Sequence, residues 1–378
     1  MLKRLLATML LCVIAAAQQK TLQKTPPAKP APPPIPVFDI KLTPDDSAVS
    51  IAYPDNAPMI PALCDANGNP FVKVYGTDGM HILAFTPKGA IPFDTRQITD
   101  VPEPELTNYF FVRSSGIFLL VLGMENTRKE EQSIIDEQGR EGKRLVTKGE
   151  YRYYIARFDR DGTYKGALKL DSGFHYQQLA AFDSGVFVVA GLDENNTPRV
   201  ALLNSSGQML TYVQLPKDIT DRPKSAAKSF EASFGSTASM DVITGSSQFF
   251  SYNENVLLER AGNIAPIYEI RESGEVRAVR LKIPNGLTLD HFIPSDHNWF
   301  IAVRKDPNDM ASETIYEVNP ENGEPLRQYR IESKNGFEEA LSCATQDGFT
   351  GIRHKQGRLT VLHGVAEPAK QQASPAPK

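Results

Sequence analysis

Cysteine is scarce in this chain, with three in 378 residues. That excludes a disulfide-dense mini-domain, and no Cys pair has the spacing of a zinc site. No Gly-Lys-Ser/Thr loop is present to cradle a phosphate, and no Gly-x-Ser-x-Gly elbow to present a nucleophile. Tryptophan occurs once, as Trp299, and Phe300 follows it, so no Trp-Asp repeat exists. Neither charge sign dominates: 41 Lys and Arg face 45 Asp and Glu, for a formal −4, and no nucleic-acid footprint is visible. The apolar run Leu5–Ala17 falls short of the roughly 20 residues that span a bilayer.

What the chain does have is a recurring run of short strands. The clearest copy lies between His175 and Leu215. Gln178 to Phe182 is apolar and closes on Asp183-Ser184-Gly185, where glycine supplies the positive φ of a tight turn. Val186 to Leu192 is β-branched and aromatic, and too short for a typical helix. Asp193 to Pro198 is turn chemistry, Arg199 to Leu203 a third strand, and Asn204-Ser205-Ser206-Gly207 a second hairpin turn before Met209 to Leu215. Four antiparallel strands in about 40 residues make one propeller blade.

The same order recurs within Ile60–Ile98, Leu106–Leu170, Gln248–Leu281 and Leu289–Ile331. A last copy, Phe337–Val365, lacks its fourth strand. Val37–Leu42 (VFDIKL) has the look of that missing strand, and lending it to the last blade would hide a sheet edge. The expectation is an all-β, six-bladed propeller over residues 37–366, closed by its N-terminal strand. Seven blades is the alternative, with Ser239–Thr244 opening an extra one.

The termini are of another kind. Lys3 and Arg4 precede the apolar Leu5–Ala17, and Ala15-Ala16-Ala17 before Gln18 fits a cleavage site, so residues 1–17 predict a secretory signal and export to a bacterial periplasm or beyond. Residues 18–36 are a Pro-rich, extended tether, and 367–378 a polar tail expected to lack order. Cleavage leaves Cys64 and Cys343, in the first strands of the first and last blades. A ring makes those blades neighbours, so the pair either clasps the closure as a disulfide or stays as two buried thiols.

The hairpin glycines Gly89, Gly162, Gly207, Gly274 and Gly323 are unevenly spaced, which locates two insertions: Met124–Glu150 and Lys217–Met240. The first is dense in both charge signs and suits either a binding loop or a solvated hairpin. The second carries Phe230 and Phe234 and suits a binding loop or a short capping helix. Loops from second to third strand and from blade to blade leave a propeller on one face, so both insertions would decorate the same rim. The first strands also begin there, offering Asn108, His175, Tyr176, Asp290, His291, Glu338 and Glu339 around the channel. Such a ring could bind a ligand or hold a divalent cation, its oxygens suiting calcium or magnesium, or simply line a wet channel. Asp159-Arg160-Asp161-Gly162 opens like a calcium loop, but Leu170 stands where the bidentate Glu belongs, so it reads as a hairpin turn.

Hairpins such as ARFDRDGTYKGALKL, ALLNSSGQMLTYVQL and YEVNPENGEPLRQYRI resemble those of the six-bladed β-propeller superfamily, with its TolB-type, NHL-type and gluconolactonase-like members. The resemblance covers Val37 to about Ala366 and assigns no subfamily. It implies either a non-catalytic scaffold that binds protein or small molecule on the decorated face, or a lactonase-like, metal-assisted hydrolase or lyase at the channel mouth. The lactonase ligand pattern does not map onto these residues, which favours the scaffold.

Overall fold

The computed structural model describes residues 34–44, 50–52, 63–76, 79–135, 141–215, 248–259, 266–295, 298–305, 314–331, 339–345 and 348–369. The chain divides into two units, Met1–Ile35 and Pro36–Lys378. Of the first, only Pro34 and Ile35 are described, without regular structure. The N-terminal signal, most of the tether, the insertion Lys217–Met240 and the strand Ser239–Thr244 lie outside the described residues.

The second unit opens with β1 (Val37–Ile40), β2 (Thr43–Pro44) and β3 (Ser50–Ala52). Blade 1 is β4 (Leu63–Cys64), β5 (Pro70–Gly76), β6 (Gly79–Thr86) and β7 (Gly89–Phe93). Blade 2 is β8 (Glu105–Arg113), β9 (Gly116–Ile135), β10 (Glu141–Phe158) and β11 (Tyr164–Lys169). Blade 3 is β12 (His175–Ala181), β13 (Phe187–Leu192), β14 (Pro198–Leu203) and β15 (Met209–Tyr212). Blade 4 is β16 (Gln248–Tyr252), β17 (Asn255–Glu259), β18 (Ile267–Ile270) and β19 (Val276–Val279). Blade 5 is β20 (Thr288–Pro294), β21 (Trp299–Arg304), β22 (Thr314–Val318) and β23 (Pro325–Ile331). Blade 6 holds β24 (Glu339–Ala344), β25 (Phe349–Lys355) and β26 (Arg358–Gly364), and β27 (Ala366–Pro368) follows. Within each blade, consecutive strands pair antiparallel, and the six sheets form a ring of six blades.

Middle strands are buried on both faces, which explains runs such as FVVAGL in β13 and WFIAVR in β21, buried throughout. Between blades the core is aromatic. Phe93 meets Phe158, Phe118 meets Phe187, Phe250 meets Phe292 and Phe300 meets Phe349, with centroids 5.5–6.0 Å apart. These edge-on contacts join blades 1 to 2, 2 to 3, 4 to 5 and 5 to 6. Blades 6 and 1 share a mostly aliphatic cluster that includes Val72, Phe85, Ile352 and Val361. Blades 4 and 5 also share a device: buried Glu269 and Glu317 sit at the same place in β18 and β22, and each is held by an arginine one strand outward, Arg277 and Arg327. A buried carboxylate needs such a partner.

The five hairpin glycines all have positive φ. At Gly323 (φ +70°) packing adds a second demand, since a Cβ there would lie 2.0 Å from the Arg280 carbonyl oxygen. Only glycine suits that turn.

Closure departs from expectation in its detail. The N-terminal segment does close the ring, but Val37–Ile40 is not the fourth strand of blade 6. It runs parallel to β23 on the outside of blade 5 and antiparallel to β27. The fourth position of blade 6 goes to the next residues along: β2 pairs with β26 at Thr43↔His363, and β3 at Ile51↔Leu359. The reason lies at Ile40, which is fully buried in a cluster spanning blades 5 and 6. That seat beside β23 fixes β1 and leaves the segment after it to reach β26. The sheet also runs through Pro368, past the boundary drawn at Ala366, because Glu367 and Pro368 pair with Asp39 and Phe38. A disulfide joins Cys64 to Cys343, with Cα atoms 5.8 Å apart, and ties β4 of blade 1 to β24 of blade 6.

Candidate functional site

The first strand of each blade starts on one face, and its second strand returns there. Insertion Met124–Glu150 is the extension of β9 and β10 beyond that face. Its register runs from Met124↔Tyr151 out to Ile135↔Glu141, with an irregularity at Lys148/Glu150. Outward of Leu122 and Tyr154 no other strand among the described residues pairs with it. At about 3.3 Å per residue the ribbon projects roughly 40 Å. Ion pairs lace it: Glu130 takes Arg128 at 2.6 Å and Lys148 at 2.7 Å, and Lys143 meets Glu131 at 3.0 Å. These charges keep two open sheet edges soluble. Two large apolar side chains nevertheless stand in solvent along β10, Leu145 at 60% and Tyr151 at 52% exposure.

At the ribbon's root, blades 2 and 3 bring Tyr153 against His175. The phenol oxygen is 2.7 Å from the imidazole Nδ1, and the rings meet edge-on at 5.4 Å. Burial lowers the pKa of His175 and pushes that of Tyr153 up to about 12, so the pair is neutral at physiological pH. Tyr176 does not look into the channel. It is 2% exposed, packs on Phe174 and Tyr153, and donates its hydroxyl to the Asp171 carbonyl. The period-2 alternation of β12 turns it into the core while His175 stays outside.

Further round the same face, the ends of β17 and β21 and the start of β20 converge. Asp290 accepts from His291 Nδ1 at 2.9 Å and from Arg304 at 2.6 Å. Burial raises the Asp290 pKa, but the His291 hydrogen bond and the charges of His291 and Arg304 outweigh it and leave the pKa lowered. Glu259, from blade 4, is pushed up to about 7, chiefly by burial, with Asp290 adding to the rise and His291 opposing it. The cluster therefore holds a fixed ion pair beside a carboxyl that titrates near neutrality.

Of the expected channel residues, His175, Asp290 and His291 lie on this face, in two clusters rather than one. Glu338, and the side chains of Asn108 and Glu339, lie outside the described residues. Among the described residues no three His, Cys, Asp or Glu side chains converge as a metal group would require. Asp159–Gly162 forms a turn closed by Gly162 N–H to the Asp159 carbonyl at 3.0 Å. The sequence reading overlooked Tyr153, Glu259 and Arg304. The last two end apolar strands (NVLLE and WFIAVR), and a charge closing such a run is the one signal that points to them.

No known protein family matches the chain, and no characterised protein matches it in sequence. Several solved structures are similar in shape. The Pan2 WD40 domain of Neurospora crassa is similar over 87% of this chain and 98% of its own, at 10% identity and TM-score 0.40. YCF48, solved bound to a D1 peptide, covers 90% and 100% at 9% identity and TM-score 0.36. A protein of unknown function from Dyadobacter fermentans covers 86% and 99% at 11% and 0.38. Likenesses this remote carry no argument; the propeller stands on its own six sheets and their order. No helix among the described residues is long and apolar enough to cross a membrane.

Proposed function

We propose that this propeller is an exported, non-catalytic binding scaffold whose working surface is the face carrying the β9–β10 ribbon. One observation carries the reading: a rigid ring holds out a two-stranded ribbon that, outward of Met124, pairs with no other strand among the described residues and carries Leu145 and Tyr151 exposed on it. An unpaired edge with alternating side chains recognises an extended chain by main-chain hydrogen bonds, and the apolar pair supplies anchors. Export rests on the charged start and apolar run of residues 1–17, and the Pro-rich stretch 18–36 sets reach from whatever holds the N-terminus. A TolB- or NHL-type kinship belongs to this same reading.

The test replaces residues 125–149 by an Asn-Gly turn. Circular dichroism and melting should show an intact propeller. A partner recovered by crosslinking in the exporting cell and then purified should bind the shortened protein at least tenfold more weakly. Equal affinity for both forms would refute the ribbon as the working surface. Mass spectrometry of the mature protein should begin at Gln18.

A further inference from the structure

Four asparagines in this chain stand directly before a glycine: Asn67, Asn285, Asn322 and Asn335. Asn335-Gly336 lies outside the described residues. Such a pair carries its own chemistry. When base takes the proton from the glycine N–H, the nitrogen can attack Cγ of the asparagine. A new N–Cγ bond closes a five-membered imide, the bond from Cγ to Nδ2 breaks, and ammonia leaves, carrying a proton. Water then opens the imide at one of its two carbonyls and leaves aspartate or isoaspartate. Glycine permits the step best, because no side chain shields its nitrogen. Two conditions decide whether it occurs in a folded chain. The glycine N–H must be free to lose its proton, and the turn must have room to bring nitrogen and Cγ together.

The three described pairs differ on both. Their asparagines are all exposed. Gly68 is buried in the β4–β5 turn, donates to the Asp65 carbonyl at 3.0 Å, and sits where a Cβ would lie 2.4 Å from the Thr345 methyl. The Asn67 N–H is tied as well, to Asp65 Oδ1 at 2.9 Å. Gly323 is buried in the β22–β23 hairpin and donates to the Asn319 carbonyl at 2.8 Å, while the Asn322 side-chain oxygen accepts from Glu324 N–H at 3.0 Å. Asn285-Gly286 is different. It sits in the connection between β19 and β20. Gly286 is exposed, and a Cβ there would meet nothing within 4 Å. Neither its N–H nor the Asn285 side chain has a hydrogen-bond partner among the described residues. With φ +79° at Gly286, the pair forms the centre of a type II turn, closed by Leu287 N–H to the Pro284 carbonyl at 3.2 Å.

We propose that Asn285 is a site of self-modification, at which the folded protein converts an amide to a carboxylate through the imide formed with Gly286. A bonded glycine must first break its hydrogen bond, and one such bond of ordinary worth slows the step about tenfold. Burial of the turn adds the cost of local opening. Gly286 bears neither cost. Each event adds one negative charge to a chain of formal −4, and the isoaspartate product reroutes the main chain through Cβ. The site is independent of the ribbon.

The test incubates purified full-length protein at mildly basic pH, native and in urea. Digestion and mass spectrometry then follow each pair by itself, with isoaspartate read by enzymatic methylation of the separated peptides. In urea the sequence alone acts, which sets a reference rate for each pair. Folding should slow Asn67 and Asn322 about tenfold or more and leave Asn285 within about threefold of its reference. The Asn285 rate should also rise in step with hydroxide. An Asn285 slowed by folding as much as the other two overturns the proposal, and so does a native protein in which Asn67 or Asn322 reacts first. A rate at Asn285 indifferent to pH would overturn the base-driven route.

Discussion

Reducing the Cys64–Cys343 bond should loosen the ring at one defined seam. The bond joins residues separated by 279 positions. For a loop that long the chain-entropy relation gives about 19 cal/mol/K, or about 5.6 kcal/mol at room temperature. That is a ceiling, because the reduced unfolded chain is more compact than the ideal coil the relation assumes. We expect about 3 kcal/mol, within the usual range for native disulfides. Spread over the unfolding entropy of a domain of about 330 residues, roughly 0.7 kcal/mol/K, this lowers the melting midpoint by about 4 °C. The assay is differential scanning calorimetry of the oxidised protein, the protein in phosphine reductant, and the Cys64→Ala/Cys343→Ala double variant. The last controls for packing, since Cys343 is fully buried. A midpoint that moves by less than about 1 °C on reduction would refute the reasoning, because the bond would then take little freedom from the unfolded chain. A loss seen in the alanine variant but not on reduction would locate the effect in the cavity instead.

At the other seam, Ile40→Ala should cost about 2–4 kcal/mol in urea unfolding, by emptying a buried site shared by blades 5 and 6. Asp39→Ala, which removes only the surface pair with Arg330, should stay within about 0.5 kcal/mol; equal losses would contradict the packing account. For Glu259, the folded pKa near 7 stands above the ordinary 4.5, so the folded state holds the proton more tightly. The stability this contributes is full below pH 4.5 and is lost as pH rises through 7. The Glu259→Gln variant should therefore gain in melting midpoint on the wild type between pH 5 and pH 8, and a constant difference across that range would contradict the assignment.

Much of the fold is legible in the residues because a blade is a local object. Its strands pair with their chain neighbours, its turns carry Asp, Asn and Gly at fixed places, and most of its middle-strand residues within the ring are apolar. ALLNSSGQMLTYVQL reads as a hairpin without any knowledge of its surroundings, and Gly207 does take positive φ there. The closure was less legible. VFDIKL and the residues after it are both plausible strands, and the choice between β23 and β26 turns on where Ile40 finds a buried seat. The decorated face was legible as a rim but not as clusters: Tyr153 meets His175, and Glu259 lies within electrostatic reach of His291, across blade boundaries that no spacing encodes.

The sequence by itself determined the repeat and the place and length of the first insertion, and it narrowed the ring to six or seven blades. Those follow from periodicity and turn chemistry, which act over a few residues. Tertiary structure alone decided which strand seals the ring, that Tyr176 turns inward, and that buried Arg113 of blade 2 donates to Ser251 of blade 4. Each of these depends on burial, and burial is a property of what surrounds a side chain once distant parts of the chain have met.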